Sequence, residues 1–146
     1  VIGRARGLFD PRLPLCRGEL AALAGTIQDA LGLAGLTFDL RVVGDGEMAG
    51  LNRDFLGLFG PTNVLSFPAG DPARPDYLGE LAVSADTVVR EAFLYGQDPV
   101  AHLARLLAHG FLHLAGWDHG PAMEAATEAA VAAVTGWPRQ ADPAEG

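Results

Sequence analysis

Lysine is missing altogether from these 146 residues: the basic side chains are ten arginines, set against eighteen acids for a net charge of −8. A dense cationic footprint for holding a nucleic-acid backbone is thereby excluded, and long-range steering of a polyanion is poor. The deficit is uneven. Residues 1–60 hold six arginines against seven acids, net −1, and residues 61–146 hold four against eleven, net −7. Arg4, Arg6, Arg12 and Arg17 crowd the N-terminal end. Cysteine is reduced to Cys16, which excludes an internal disulfide and accords with a reducing, cytoplasmic compartment. Long apolar runs are lacking too. Although 49% of the chain is hydrophobic, Arg105, the histidines and the prolines interrupt every stretch before it nears the ~20 residues that span a bilayer. The segment after Arg4 and Arg6 is too short for the apolar core of a signal peptide. The expectation is a cytoplasmic protein without a membrane partner, folded as a single domain over 1–146 with 1–18 and 138–146 peripheral. No internal repeat or linker divides it.

Histidine is also scarce, four in all, yet three fall in the run His109-Gly110-Phe111-Leu112-His113-Leu114-Ala115-Gly116-Trp117-Asp118-His119. On a helix, positions four apart lie about 40° apart around the axis and one turn apart along it, so His109 and His113 can offer ring nitrogens to one ion. Gly116 can adopt the left-handed conformation that ends a helix, letting the chain double back and bring His119 to the same point. Three neutral imidazoles with one open position describe a catalytic zinc site, because structural sites close the fourth position with another protein ligand. The fourth histidine, His102, reads as a surface or hydrogen-bonded residue. Two histidines at i and i+4, a glycine three later and a third histidine three beyond also form the outline of the metzincin proteases. Those enzymes carry a glutamate general base where this chain has Gly110, so peptide hydrolysis by that route lacks its proton acceptor.

Around this run the periodicity predicts an amphipathic helix over Glu19–Leu33, a strand over Thr37–Val43 and a helix from Asp45, as its cap, to Phe55. A short strand, Asn63–Phe67, closes at Pro68, and a proline-rich loop follows over 69–77. Then come a strand over Leu78–Ser84, a helix over Ala85–Tyr95, and a long apolar helix opened by Asp98-Pro99 that carries His109 and His113. A last helix spans about Ala122–Thr135. Gly110 inside the apolar helix costs about 1 kcal/mol relative to alanine. Its presence points either to a group approaching the backbone closely or to tight packing of the helix. The fold class expected is α+β, a small mixed sheet packed by helices, with the metal site on a central buried helix and the turn after it, beside a strand edge.

The run from His109 to His119 resembles the signature of the YbeY family, single-domain metal-dependent endoribonucleases implicated in ribosomal RNA maturation. Leu51-Asn52-Arg53-Asp54-Phe55, Pro61-Thr62-Asn63-Val64-Leu65-Ser66-Phe67-Pro68 and Leu78-Gly79-Glu80-Leu81 resemble the family's other blocks, in the same order and at compatible distances, so that the likeness covers about Leu36 to Val131. A three-histidine run is shared with proteases, whereas the Pro-Thr-Asn-Val-Leu-Ser-Phe-Pro block is much more specific. The resemblance implies that His109, His113 and His119 hold one zinc, or another divalent ion, in a cleft. It further implies that the substrate is single-stranded RNA, with ribosomal RNA and ribosomal proteins as partners in ribosome maturation and quality control. In one place the chain departs from the pattern. Where the family typically has an arginine in a basic loop, Leu56 stands here, followed by Gly57, Leu58, Phe59 and Gly60. Either Arg53 or the N-terminal arginines then reach the phosphate, or catalysis is weakened or redirected. The apolar Leu56, Leu58 and Phe59 either form a docking patch or pack into the core, the commoner fate of such residues.

A three-histidine zinc lowers the pKa of its water to about 7 and polarises a phosphoryl oxygen, and both effects suit phosphodiester cleavage. Asp118, beside His119, is the first candidate for the base or for an acceptor of a ligand's second ring N–H, with Glu80 and Glu124 more remote. Thr62, Asn63 and Ser66 carry groups suited to substrate contact, as does Arg53, although strand capping explains the first three as well. Two other readings stand beside the nuclease. One is a non-catalytic, metal-stabilised ribosome-associated factor, favoured by the lost arginine and a pI near 4.8. The other is a minimal metalloprotease.

Overall fold

In a computed structural model the described residues are 3–7, 13, 15–60 and 62–134, the first of these segments by its backbone alone. Pro61, Arg12, most of the N-terminal stretch before Leu15 and the tail beyond Val134 lie outside them, with the expectations that fell there.

The described elements are β1 (Gly3–Gly7), α1 (Arg17–Ala30), β2 (Thr37–Val43), α2 (Asp45–Leu56), β3 (Val64–Pro68), β4 (Tyr77–Ser84), α3 (Ala85–Tyr95), α4 (Pro99–Leu114) and α5 (Pro121–Ala133). The four strands form one mixed sheet in the order β1-β2-β4-β3. β1, β2 and β4 run parallel, whereas β3 is an antiparallel edge paired so that Leu65 faces Ala82 and Phe67 faces Glu80. This is the α+β class that the pattern predicts. β1 carries no alternating hydrophobic signal in Gly-Arg-Ala-Arg-Gly and was not legible in the sequence.

Alternation along β4 divides the interior. Leu81 and Val83 face the main core, where Leu20, Leu23 and Ile27 of α1 meet Leu103, Leu107 and Phe111 of α4, and Ala130 of α5 closes the cluster. Phe38 of β2 meets Phe111 edge-to-face with centroids 4.7 Å apart. Ala82 faces the opposite layer, a smaller cluster of Val43, Met48 and Leu65 under α2. Helix α4 is apolar nearly all round and is the central helix of the domain, its start fixed by the Asp98 carboxylate accepting from Ala101 N–H at 3.0 Å.

Two positions control how the functional elements sit. The first is Gly110, where α4 crosses the sheet: a Cβ there would lie 2.7 Å from Leu81 Cδ2 and 3.5 Å from Ser66 Oγ. Ser66 donates its hydroxyl to the Gly110 carbonyl at 3.3 Å. The glycine is therefore a matter of close helix-on-sheet packing, and a side chain of the protease kind would have to displace Leu81 at this position. The second is Asp45. It is the first residue of α2 rather than its cap, which is Gly44. Its carboxylate instead accepts from Ser84 Oγ and Thr87 Oγ1, both at 2.7 Å, and from Arg90 at 2.9 Å. The Asp45 N–H in turn donates to Asp86 at 2.9 Å. The starts of α2 and α3 are thus tied together at the end of β4. Although burial opposes ionisation of Asp45, hydrogen bonds from Thr87 and Ser84 and the Arg90 guanidinium outweigh it and hold the carboxyl below its ordinary value.

Gly110→Ala is expected to destabilise the fold by about 1–2 kcal/mol despite alanine's better helix propensity, because fully buried Leu81 must shift; urea unfolding measures this. Asp45→Asn is expected to lower the Tm at pH 7 by roughly 3–6 °C, the effect of about 1–2 kcal/mol. A carboxyl with a depressed folded pKa contributes stability that is whole above its unfolded value of about 3.9 and is lost as pH falls through the folded one. The gap between variant and parent should therefore narrow in melts below about pH 4.

Candidate metal centre

His109 and His113 sit one turn apart near the C-terminal end of α4, on the edge left half-buried between the core and solvent. The helix ends as the sequence demands. Gly116, at φ +91°, donates its N–H to His113 O at 3.0 Å, and Trp117 N–H returns to Leu112 O at 2.9 Å. The reversed chain brings exposed His119 back to the helix. Ring centroids are 4.8 Å apart for His109–His113, 5.0 Å for His109–His119 and 4.6 Å for His113–His119. One nitrogen from each ring lies within 4.8 Å of the others, within reach of a single ion.

His109 suits a metal in protonation as well as in place. Partial burial, reinforced by the neighbouring His113 and His119 rings, holds His109 below the ordinary imidazole pKa, so its lone pair is free at neutral pH. The three rings open on a cleft of about 540 Å³ whose other walls are Leu56 at the end of α2 and Asn63, Val64, Leu65, Ser66 and Pro68 of the β3 edge. His109 also borders a second recess, of about 330 Å³, with Arg105, Glu124, Thr127 and Glu128.

The sequence-predicted site residues are not all gathered there. Asn63 and Ser66 line the cleft, though neither side chain is idle. Asn63 donates to Glu91 at 3.1 Å and accepts from Val64 N–H at 2.8 Å, while Ser66 binds the Gly110 carbonyl. Thr62 is half-buried just ahead of β3 and is not a wall of the cleft. Arg53 lies exposed on α2, ion-paired with its neighbour Asp54 at 3.1 Å. Asp118 is exposed in the turn before His119 and makes no hydrogen bond with any described residue. Glu80 is removed from the metal centre: it projects to the α2 side of the sheet and forms a two-pronged pair with Arg41, at 3.0 and 3.2 Å. Glu124 comes nearer than the sequence indicated, sharing the second recess with His109.

Sequence reasoning missed the support behind Asn63. His102 is buried and hydrogen-bonded rather than on the surface: its Nε2 is 2.9 Å from Glu91 Oε1, the same oxygen that accepts from Asn63. Glu91 and His102 lie on α3 and α4, eleven residues apart, and no sequence spacing joins them to Asn63. Leu56, Leu58 and Phe59 do not enter the core. They stand 56, 55 and 98 % exposed because a left-handed turn at Gly57 carries the chain off the end of α2.

Comparison with known proteins agrees with this geometry. The sequence profile of the family described as endoribonuclease YbeY matches residues 19–132. An endoribonuclease YbeY of Oleidesulfovibrio alaskensis is 44% identical over 144 aligned residues, covering 84% of this chain and 85% of its own. That of Nitratidesulfovibrio vulgaris is 44% identical over 138, covering 82% and 85%. That of Chloroflexus aggregans is 46% identical over 120, covering 73% and 78%. Among solved structures, the solution structure of TM1509 from Thermotoga maritima superposes with a TM-score of 0.70 at 26% identity, over 99% of this chain and 96% of that one. With its profile match extending from α1 to α5 and its three histidines converging on one cleft, this chain belongs to the endoribonuclease YbeY family.

Proposed function

We propose that this protein is a zinc-dependent endoribonuclease that cleaves single-stranded RNA during ribosomal RNA maturation and ribosome quality control in the cytoplasm. The observation that carries the reading is the convergence of His109, His113 and His119 on an open cleft, in a chain whose relatives bear the name endoribonuclease. His109, His113 and His119 would hold the ion. When bound, such an ion supplies Lewis acidity toward a phosphoryl oxygen and acidifies a water.

The chain's own residues do the rest. α4 sets two ligands on a rigid, buried helix, so their separation is fixed before any ion arrives. Asn63, held by Glu91 and in turn by His102, fixes the entry to β3 and hence the wall opposite the histidines. Ser66 fastens that wall to α4. Asp118, the exposed carboxylate next to His119, is the candidate either to accept a ligand's second ring N–H or to act as the base. No helix among the described residues is long and apolar enough to cross a membrane. The crowding at Gly110, where the metzincin glutamate would stand, weighs against peptide hydrolysis.

His113→Ala is expected to abolish stoichiometric metal, read by elemental analysis, together with RNA cleavage. Asp118→Asn should keep the metal but lower kcat by about 10²–10⁴, the range for a general acid or base. A chelator that lowers the Tm of a protein in which no cleavage can be detected would support the non-catalytic ribosome-associated factor instead. Acidification from pH 8 to pH 5 should release the ion, because each ligating imidazole must be neutral; the depressed pKa of His109 keeps that ligand available as pH falls toward the ordinary imidazole range. Metal content against pH checks this.

A further inference from the structure

Large apolar side chains are exposed beside the metal cleft, and nothing described so far uses them. Phe55, at 64 %, and Phe59, at 98 %, flank Leu56 and Leu58. Leu56 is itself a wall of the histidine cleft. Phe55, one residue earlier, lines a separate recess of about 190 Å³ with Leu51, Phe67, Arg41 and Glu80. The last turn of α2 contributes a residue to each recess, Phe55 to one and Leu56 to the other, and β3 serves both, with Ser66 lining the histidine cleft and Phe67 the other recess.

This patch has a defined shape. Phe55 rests edge-to-face on Phe67, with centroids 5.1 Å apart and planes at 67°, which fixes the tilt of its ring while leaving much of it in water. The loop beyond α2 is fastened by buried Asn52, whose Nδ2 donates to Gly60 O at 3.0 Å and whose backbone carbonyl accepts from Leu58 N–H at 3.3 Å. The cations nearby are committed. Arg41 is bound to Glu80 and Glu47, and Arg53 to Asp54.

We propose that Phe55, assisted by Phe59, is a base-stacking subsite: an unpaired base next to the phosphodiester bond at the three histidines lies against the Phe55 ring. The inference rests on the nuclease reading above. RNA is favoured over an apolar protein segment because Leu56, the chain neighbour of Phe55, is itself a wall of the metal cleft. It is favoured also because a lysine-free chain of net charge −8, with Arg41 and Arg53 already paired, has little with which to hold phosphates. Stacking needs no cation, and every base offers a π-face. A hold of this kind has a signature of its own: weak dependence on salt, since few counterions are released.

The test is steady-state cleavage of a short fluorescent single-stranded RNA by the zinc-loaded full chain, with an otherwise identical RNA carrying one abasic nucleotide beside the cleaved bond. For Phe55→Ala, KM should rise about tenfold, within the range of one lost base–aromatic stack, while kcat stays within about a factor of two and metal content is unchanged. Phe55→Trp should retain the parental KM. On the abasic RNA the parent should show the raised KM, and Phe55→Ala should add nothing further. Fully exposed Phe59, whose removal leaves no cavity, gives a second variant, Phe59→Ala, expected to raise KM by a smaller factor. An unchanged KM in both alanine variants overturns the subsite and leaves the patch to a protein partner. So does an equal loss for Phe55→Ala on the abasic RNA. A metal-loaded parent that neither binds nor cleaves RNA overturns the nuclease reading and this inference together, whereas a cleaving parent indifferent to Phe55 overturns the inference alone.

Discussion

The close approach of α4 to the sheet at Gly110 is the contact on which the site depends. With no side chain there, the helix settles onto Leu81 of β4 and receives the Ser66 hydroxyl of β3 on its backbone. That contact sets the distance between the edge strand and the helix, and so the width of the cleft between Asn63–Pro68 and the histidines. A larger residue would hold helix and strand apart, and the cleft would lose its definition before any ligand was touched. The same economy separates this centre from the metzincin plan, in which the corresponding position carries the catalytic carboxylate.

Around that contact, polar side chains serve mainly to lock elements whose apolar faces already pack. Asp45 ties α2 and α3 to the end of β4, and Asn63 is tied through Glu91 to His102 on α4. Each buried or half-buried donor so used avoids the cost of being left unpaired. The consequence for function is a cleft with fixed walls, one of which, at Leu56, is apolar. An acidic chain can still serve a polyanionic substrate if the ion at the histidines supplies local positive charge and the rest of the hold is uncharged.

Much of this was legible because local chemistry speaks directly. The i, i+4 spacing of His109 and His113 and the turn at Gly116 announced a three-imidazole cluster, and Asp98-Pro99 announced the start of α4. The alternation in Thr37–Val43 matched β2 residue for residue. Where the reading failed, the determining contact was distant in sequence. Asp45 looked like a helix cap because aspartate commonly is one, but its partners Ser84, Thr87 and Arg90 lie about forty residues away. For Leu56, Leu58 and Phe59 the sequence left a docking patch and core packing both open, and the turn at Gly57 decided against the core. Glu80 and Glu124 could be ranked only by placing them, one across the sheet from the histidines and the other in a recess beside His109.

The amino-acid order alone determined the histidine trio, the helix that carries two of its members and the break that returns His119, because helical spacing and a left-handed glycine act over a few residues. Which strand faces those rings, which carboxylates share their cavity and which apolar side chains stay in water were decided only by the tertiary fold. These depend on packing across the sheet, where residues forty or more positions apart become neighbours and no periodicity records the encounter.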